Sequence, residues 1–143
     1  LLRRPPRSPL FPYTTLCRSR LCGVTVGEVI SDRLGSAYRL SEKYGVTVLA
    51  KSADTFAVDG GKVYLCTEGT TTLAKGGSGD MLAGIVSSYV AQGCNALDAA
   101  ALGSFTLGST ALLAGYKRSE RGIIARDVID ALPRFLYDLE NAD

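Results

Sequence analysis

Histidine is absent from these 143 residues, and the four cysteines, Cys17, Cys22, Cys66 and Cys94, never fall in a C-x-x-C pair. A structural zinc site draws on those two residue types at short, paired spacings, so both absences argue against one. Scattered singly, the cysteines read as small buried hydrophobes of a reducing compartment. None stands beside an activating base, which argues against a reactive thiol. Acid is missing from residues 1–20, which carry Arg3, Arg4, Arg7, Arg18 and Arg20. With those five set apart, the remaining 11 basic residues face 14 acidic ones, a net charge of −3, although the whole chain sums to +2. The basic character belongs to a tail. A nucleic-acid surface needs its basic patch on the folded body, so no nucleic-acid partner is expected.

Other absences bear on the ends and the greasy stretches. No uninterrupted apolar run follows the N-terminal arginines, as a signal peptide would require. Residues 1–20 hold four of the five prolines and show no helical or strand period. Residues 1–19 resemble a translated sequencing adapter, so residues 1–20 are set aside as an artefactual or disordered tail and residues 21–143 taken as the domain. Charge is missing from 81–97 and 99–116, with Asp98 alone between them. Both stretches contain Gly and Ser, with Gln and Asn in the first and Thr in the second. They read as two helices buried against a sheet rather than membrane spans, and no membrane partner is expected. No internal repeat is present.

What remains is ordinary for a soluble globular domain, with 46% hydrophobic and 21% charged residues. Thr25-Val26-Gly27-Glu28 fits a capping box, and apolar residues at Val26, Ile30, Leu34, Ala37, Leu40 and Tyr44 keep a helical period. Gly45 suits the left-handed position after the last turn, so the spacing predicts one helix over 26–44. Val46-Thr47-Val48-Leu49-Ala50 reads as a buried strand. Asp59-Gly60-Gly61 is a hairpin turn between 55–58 and 62–65. Three helices close the chain: one from near Asp80 to Gly93, one over 97–115, and one from near Asp127. Pro133 is expected to kink the last or divide it.

The chemistry-bearing segment is Lys75-Gly76-Gly77-Ser78-Gly79-Asp80, followed at once by the apolar Met81-Leu82-Ala83-Gly84. Three glycines in four residues allow close approach of a ligand. The N–H groups of the following helix lack internal partners, and its dipole is positive there, which suits an anion such as phosphate. Asp80 then stands at the edge as a general base toward a hydroxyl. The residues alone equally allow a tight turn with Asp80 as a plain N-cap. No Gly-Lys-Ser/Thr ends the loop, so it is not a Walker A loop, and the third glycine of a dinucleotide fingerprint is missing.

The run from Gly76 to Gly84 resembles the anion hole and catalytic-Asp motif of the ribokinase-like superfamily. LAKGGSGDMLAGIVSSYVAQG resembles, more narrowly, the ADP- or ATP-dependent NAD(P)H-hydrate dehydratases. Asp98-Ala99-Ala100, Arg121-Gly122, Asp127-Val128-Ile129-Asp130-Ala131-Leu132-Pro133 and, upstream, Lys51-Ser52-Ala53-Asp54-Thr55 follow in that family's order. The resemblance covers about 21–142. It implies an α/β fold of three layers, αβα, ribokinase-like, with a mostly parallel sheet, of which this chain is the C-terminal part only.

Carried over, the resemblance makes Lys51, Ser52, Ala53, Asp54 and Thr55 the segment along the adenine nucleotide. Gly79 becomes a second nucleotide contact, and Gly76, Gly77, Ser78 and Gly79 the anion hole. Asp80 becomes the catalytic carboxylate that also contacts the substrate. Ser52 stands where the family has Gly, and Thr67-Glu68-Gly69-Thr70 departs from the family's Thr-Gly-Asn. Lys75 reads either as a phosphate charge or as a solvated lysine. Gly103, Gly108 and Gly115 read as close helix packing.

The implied cofactors are ADP or ATP with Mg2+, although no carboxylate cluster marks metal ligands. The implied substrate is hydrated NADH or NADPH, in the cytoplasm. A homo-oligomer is left open. Two rivals share the motif: a ribokinase-like kinase of a vitamin precursor or sugar, and a non-catalytic nucleotide-binding remnant. Because the family carries a His-containing substrate segment upstream, the chain alone is expected to be inactive.

Overall fold

The first described element is one that no sequence pattern announces. In this computed structural model, which describes residues 13–116 and 118–142, helix α1 runs over Tyr13–Cys22. Arg18 and Ser19 are buried, and the Arg18 guanidinium donates to the Arg33 carbonyl at 3.4 Å. Contact with the body, not an apolar stripe, holds this helix, a case of tertiary context overriding local preference. The domain boundary expected after residue 20 therefore cuts through a helix. The rest of the expected tail, residues 1–12, lies outside the described residues.

The capping box forms as its spacing predicts. The Thr25 hydroxyl accepts from the Glu28 N–H at 3.2 Å, and the Glu28 carboxylate accepts from the Thr25 N–H at 2.8 Å. The single helix expected over 26–44 is instead two, α2 (Val26–Ser31) and α3 (Arg33–Tyr44). Asp32 divides them. It leaves helical geometry at φ −132° and ψ 70°, and its carboxylate accepts from the Gly35 N–H at 2.9 Å, capping α3. An Asp that satisfies an orphan donor competes with a continuous helix. Gly45 ends α3 in the left-handed region at φ +62°.

Strand β1 (Val48–Ala50) is followed by β2 (Thr55–Asp59) and β3 (Lys62–Cys66), joined through Gly60 and Gly61. The order is β1-β2-β3, and both pairs are antiparallel. The mostly parallel sheet expected from the family is not seen among the described residues. The links explain why: four residues separate β1 from β2 and two separate β2 from β3, whereas a parallel crossover needs a dozen or more.

Alternation sorts the sheet into two faces. Val48, Ala50, Phe56 and Val58 pack with Leu34, Ala37 and Tyr38 of α3. Leu49 and Ala57 face Leu97 and Ala100 of α5 (Ala96–Gly115). Helices α4 (Ser78–Ala91) and α6 (Ala125–Glu140) flank α5. Leu82, Leu107, Ala111, Ile123 and Val128 form their shared core. Burying Leu107 to 2% exposure is worth about 1.5–3 kcal/mol. The result is the expected three-layer α/β arrangement, α3 on one side and α4–α6 on the other.

Helix α5 is long and apolar enough to cross a bilayer, yet 56% of that span is buried inside the protein. Close approach explains two of its three glycines. A Cβ on Gly103 would meet the Val86 side chain at 2.4 Å, and one on Gly108 the Glu68 carbonyl at 2.5 Å. Gly115 has open space instead. Helix α6 continues through Pro133 as one element. The cysteines depart from expectation: Cys17 is exposed and Cys22, Cys66 and Cys94 are half-buried, so none is a core residue.

Candidate functional site

The glycine turn is shaped by one left-handed residue. Gly77 caps α4 at φ +87°, a conformation that strains residues with a Cβ, and its carbonyl accepts from the Met81 N–H at 3.0 Å. Helix α4 begins at Ser78, two residues before the expected start. Asp80 is thus in the first turn and not the N-cap, which removes the plain-cap reading. No side chain caps α4. A Cβ on Gly76 or Gly79 would touch nothing within 4 Å. The Ser78 N–H donates to the Lys75 carbonyl at 3.5 Å, and the N–H groups of Gly79 and Asp80, with the positive end of the dipole, open onto free space, as an anion site requires.

The segment 51–55 meets this helix start. Lys51 follows β1, and its ammonium donates to the Ser78 hydroxyl at 2.5 Å; Ser78 itself is only 6% exposed. Burial pushes the Lys51 amine below its ordinary pKa, and among the described residues no carboxylate pairs with it. Thr55 closes the loop: its hydroxyl accepts from the Ser52 N–H at 3.4 Å and donates to the Ser52 carbonyl at 3.3 Å. The Ser52 hydroxyl donates to the Asp54 carbonyl. Ala53 projects outward, exposed.

Lys75 is resolved against a phosphate role. Its ammonium donates to the Glu120 carbonyl at 3.0 Å and to the Ile123 carbonyl. The Glu120 carboxylate in turn accepts from the hydroxyls of Thr71 and, at 3.0 Å, Thr70. These bonds hold it below the ordinary carboxylate range. This brace fixes the approach to the glycine turn. Asp80 is exposed at the mouth of a groove of about 540 Å³ lined by Ile85, Tyr89, Ile129 and Leu136. Among the described residues no group of three His, Cys, Asp or Glu stands together; magnesium carried on a nucleotide is held by one or two carboxylates and the phosphate oxygens and needs no such group.

Comparison with known proteins bears on this geometry. A family model described as NAD(P)H-hydrate dehydratase matches residues 18–134. The chain belongs to the NAD(P)H-hydrate dehydratase family. It is 36% identical over 118 residues to the bifunctional NAD(P)H-hydrate repair enzyme of Vibrio cholerae, covering 82% of this chain and 24% of that one. It is 37% identical over 112 residues to the ADP-dependent (S)-NAD(P)H-hydrate dehydratase of Haloterrigena turkmenica, covering 78% and 42%. The crystal structure of the ADP/ATP-dependent NAD(P)H-hydrate dehydratase of Bacillus subtilis, co-crystallised with ATP/Mg2+, superposes with a TM-score of 0.75 at 26% identity. That match covers 83% of this chain and 43% of that one. The fold is therefore the ribokinase-like α/β fold of these dehydratases, and the chain spans less than half the length of each of these relatives.

Sequence reasoning missed Arg33 in this family member. From the first turn of α3 it donates to the Ser52 hydroxyl at 2.6 Å and pairs with Asp54 at 3.3 Å. Nineteen positions separate Arg33 from Ser52, and no local pattern signals the contact.

Proposed function

We propose that this chain supplies the nucleotide side and the catalytic carboxylate of an enzyme that returns hydrated NADH or NADPH to NADH or NADPH. ADP or ATP supplies the phosphoryl group when bound. The observation that carries the reading is the Lys51–Ser78 contact, which draws residues 51–55 and 76–80 into one site. A desolvated ammonium that no carboxylate pairs with among the described residues, beside uncapped helix N–H groups, fits phosphate oxygens.

In this reading the backbone N–H groups of Gly77 to Asp80 hold the charge that grows on the transferred phosphoryl group. Lys51 adds a positive charge at the same place. Gly76 and Gly79 leave the space through which phosphate approaches, while Ser52, Ala53, Asp54 and Thr55 lie along the nucleotide. Asp80 would take the proton of the substrate hydroxyl as its oxygen attacks the terminal phosphorus of the nucleotide and ADP (from ATP) or AMP (from ADP) leaves. Loss of phosphate from the phosphorylated hydrate, with a proton from the adjacent ring carbon, would then restore the double bond of the nicotinamide ring. The names of the relatives support hydrated NAD(P)H as substrate, and a cytoplasmic setting fits a metabolite-repair role.

The test is the recovery of NADH absorbance from its hydrate, with ATP or ADP, in the complete protein. Recovery with either nucleotide supports the reading. Nucleotide hydrolysis that responds to a sugar or vitamin precursor, and not to the hydrate, would favour a kinase instead. Binding without any turnover would leave a nucleotide-binding remnant.

A further inference from the structure

Residues 51–54 form the link between β1 and β2, and few backbone bonds fix it. Beyond the turn between Ser52 and Thr55, two side chains hold it to the body: Lys51 meets Ser78 at its start, and Arg33 holds the residues that follow. Arg33 reaches from α3 to donate to the Ser52 hydroxyl at 2.6 Å and to the Asp54 carboxylate at 3.3 Å. Its guanidinium also lies over the Phe56 ring, 6.0 Å from the centroid. The planar fork thus fixes two loop residues at once while the ring supports it from one side. The anchor is itself fixed, because Arg33 opens α3 directly after the Asp32 cap.

The geometry points to Arg33 as the positioning residue of the nucleotide loop, an assignment that rests on the function proposed above. Arg33 reaches neither Ser78 nor the glycine turn; it acts through Ser52 and Asp54. Its side chain and that of Asp54 retain 36% and 50% exposure. A pair that open to water contributes little to stability, so its consequence lies in where the loop is held. Lys51 adjoins Ser52, and a loop held at Ser52 and Asp54 delivers the Lys51 ammonium to the start of α4. Ser52 gives this loop a hydroxyl that glycine would lack, and Arg33 is its partner.

The experiment is a coupling cycle read in nucleotide affinity. ATP and ADP are titrated calorimetrically against the complete protein, against Arg33→Met, against the pair Ser52→Ala with Asp54→Asn, and against all three together. Arg33→Met should weaken binding about tenfold, the scale of one charge-assisted hydrogen bond. In the Ser52→Ala, Asp54→Asn background the same change should cost nothing further. Arg33→Lys should recover part of the loss, since one ammonium reaches one acceptor where the fork reaches two. If Arg33→Met fails to fold, Arg33→Lys is carried through the same cycle, with an expected loss of about threefold. Equal affinity for wild type and variant, or an equal loss in both backgrounds, would overturn the assignment while leaving the proposed function intact. A wild-type protein that binds neither nucleotide would overturn both.

Discussion

Replacing Lys51 with Met separates a binding lysine from a structural one. Among the described residues the ammonium meets only the Ser78 hydroxyl, and burial is the cause of its lowered pKa. A base whose folded pKa lies below its unfolded value is protonated more readily in the unfolded chain. Stability contributed by this group therefore rises with pH, from its folded value up toward 10.5, and below that window the full cost of the buried charge persists. At neutral pH Lys51→Met removes that cost, so the melting midpoint should hold or rise. Nucleotide affinity should fall, because a charge-assisted contact to phosphate is worth about 1.5–3 kcal/mol, or roughly 10- to 150-fold. A bound anion also pulls the Lys51 pKa back up. Wild-type affinity should consequently decline as pH passes upward through the free protein's Lys51 pKa, and Lys51→Met should lack that decline. Titration calorimetry across pH, with melting curves beside it, checks both halves. A variant that melts earlier yet binds ATP and ADP as well as wild type would show that Lys51 braces Ser78 and does nothing for phosphate.

Three further outcomes follow from the glycine turn and its carboxylate. Asp80→Asn in the complete protein should lower single-turnover rates about 10²–10⁴-fold and leave nucleotide binding in place; a wild-type rate would remove Asp80 from the chemistry. Gly79→Val should fold normally, because a Cβ there meets nothing within 4 Å, and should weaken nucleotide binding by filling that space; equal affinities by calorimetry would make the loop only a turn. Gly77→Ala should lower unfolding stability in urea by about 1–2 kcal/mol, the cost of a left-handed residue, since its Cβ finds only an ordinary contact with Ala125 at 3.6 Å; no loss would mean that the turn relaxes to another conformation.

The legible parts of the sequence were those whose cause is local. Thr25 and Glu28 answer each other within one turn, Gly45 ends its helix where its lack of a Cβ allows, and Gly60-Gly61 dictates a hairpin. The glycine turn was legible for the same reason, and its neighbours in the fold confirm the space around Gly76 and Gly79. Signals failed where a distant contact decides. Asp32 looked like one polar position on a helix, but its carboxylate finds the Gly35 N–H and starts a new one. Lys75 reads either as a phosphate charge or as a solvated lysine, yet the carbonyls of Glu120 and Ile123, more than forty positions on, take its ammonium. Helix α1 has no pattern of its own and is placed by what it packs against. Strand direction was inferred from the family and not from these residues, and short links made every described pair antiparallel.

The sign of the site follows from where three elements end. Strand β1 stops at Ala50 and delivers Lys51 just beyond its carboxyl end. Helix α4 starts at Ser78 and directs its uncapped N–H groups to the same place. The turn before it is held by Lys75 on the 120–123 segment, so that lysine is spent on geometry, while among the described residues no carboxylate pairs with Lys51. Two positive contributions thus converge, one a full charge and one a dipole, and a carboxylate set between them would cancel both. Asp80 instead stands exposed on the first turn, at the rim that opens toward the groove between α4 and α6. Under the proposed function, this arrangement would set an anion-holding floor apart from a base at its edge, the division of labour that transfer of a phosphoryl group to a hydroxyl requires.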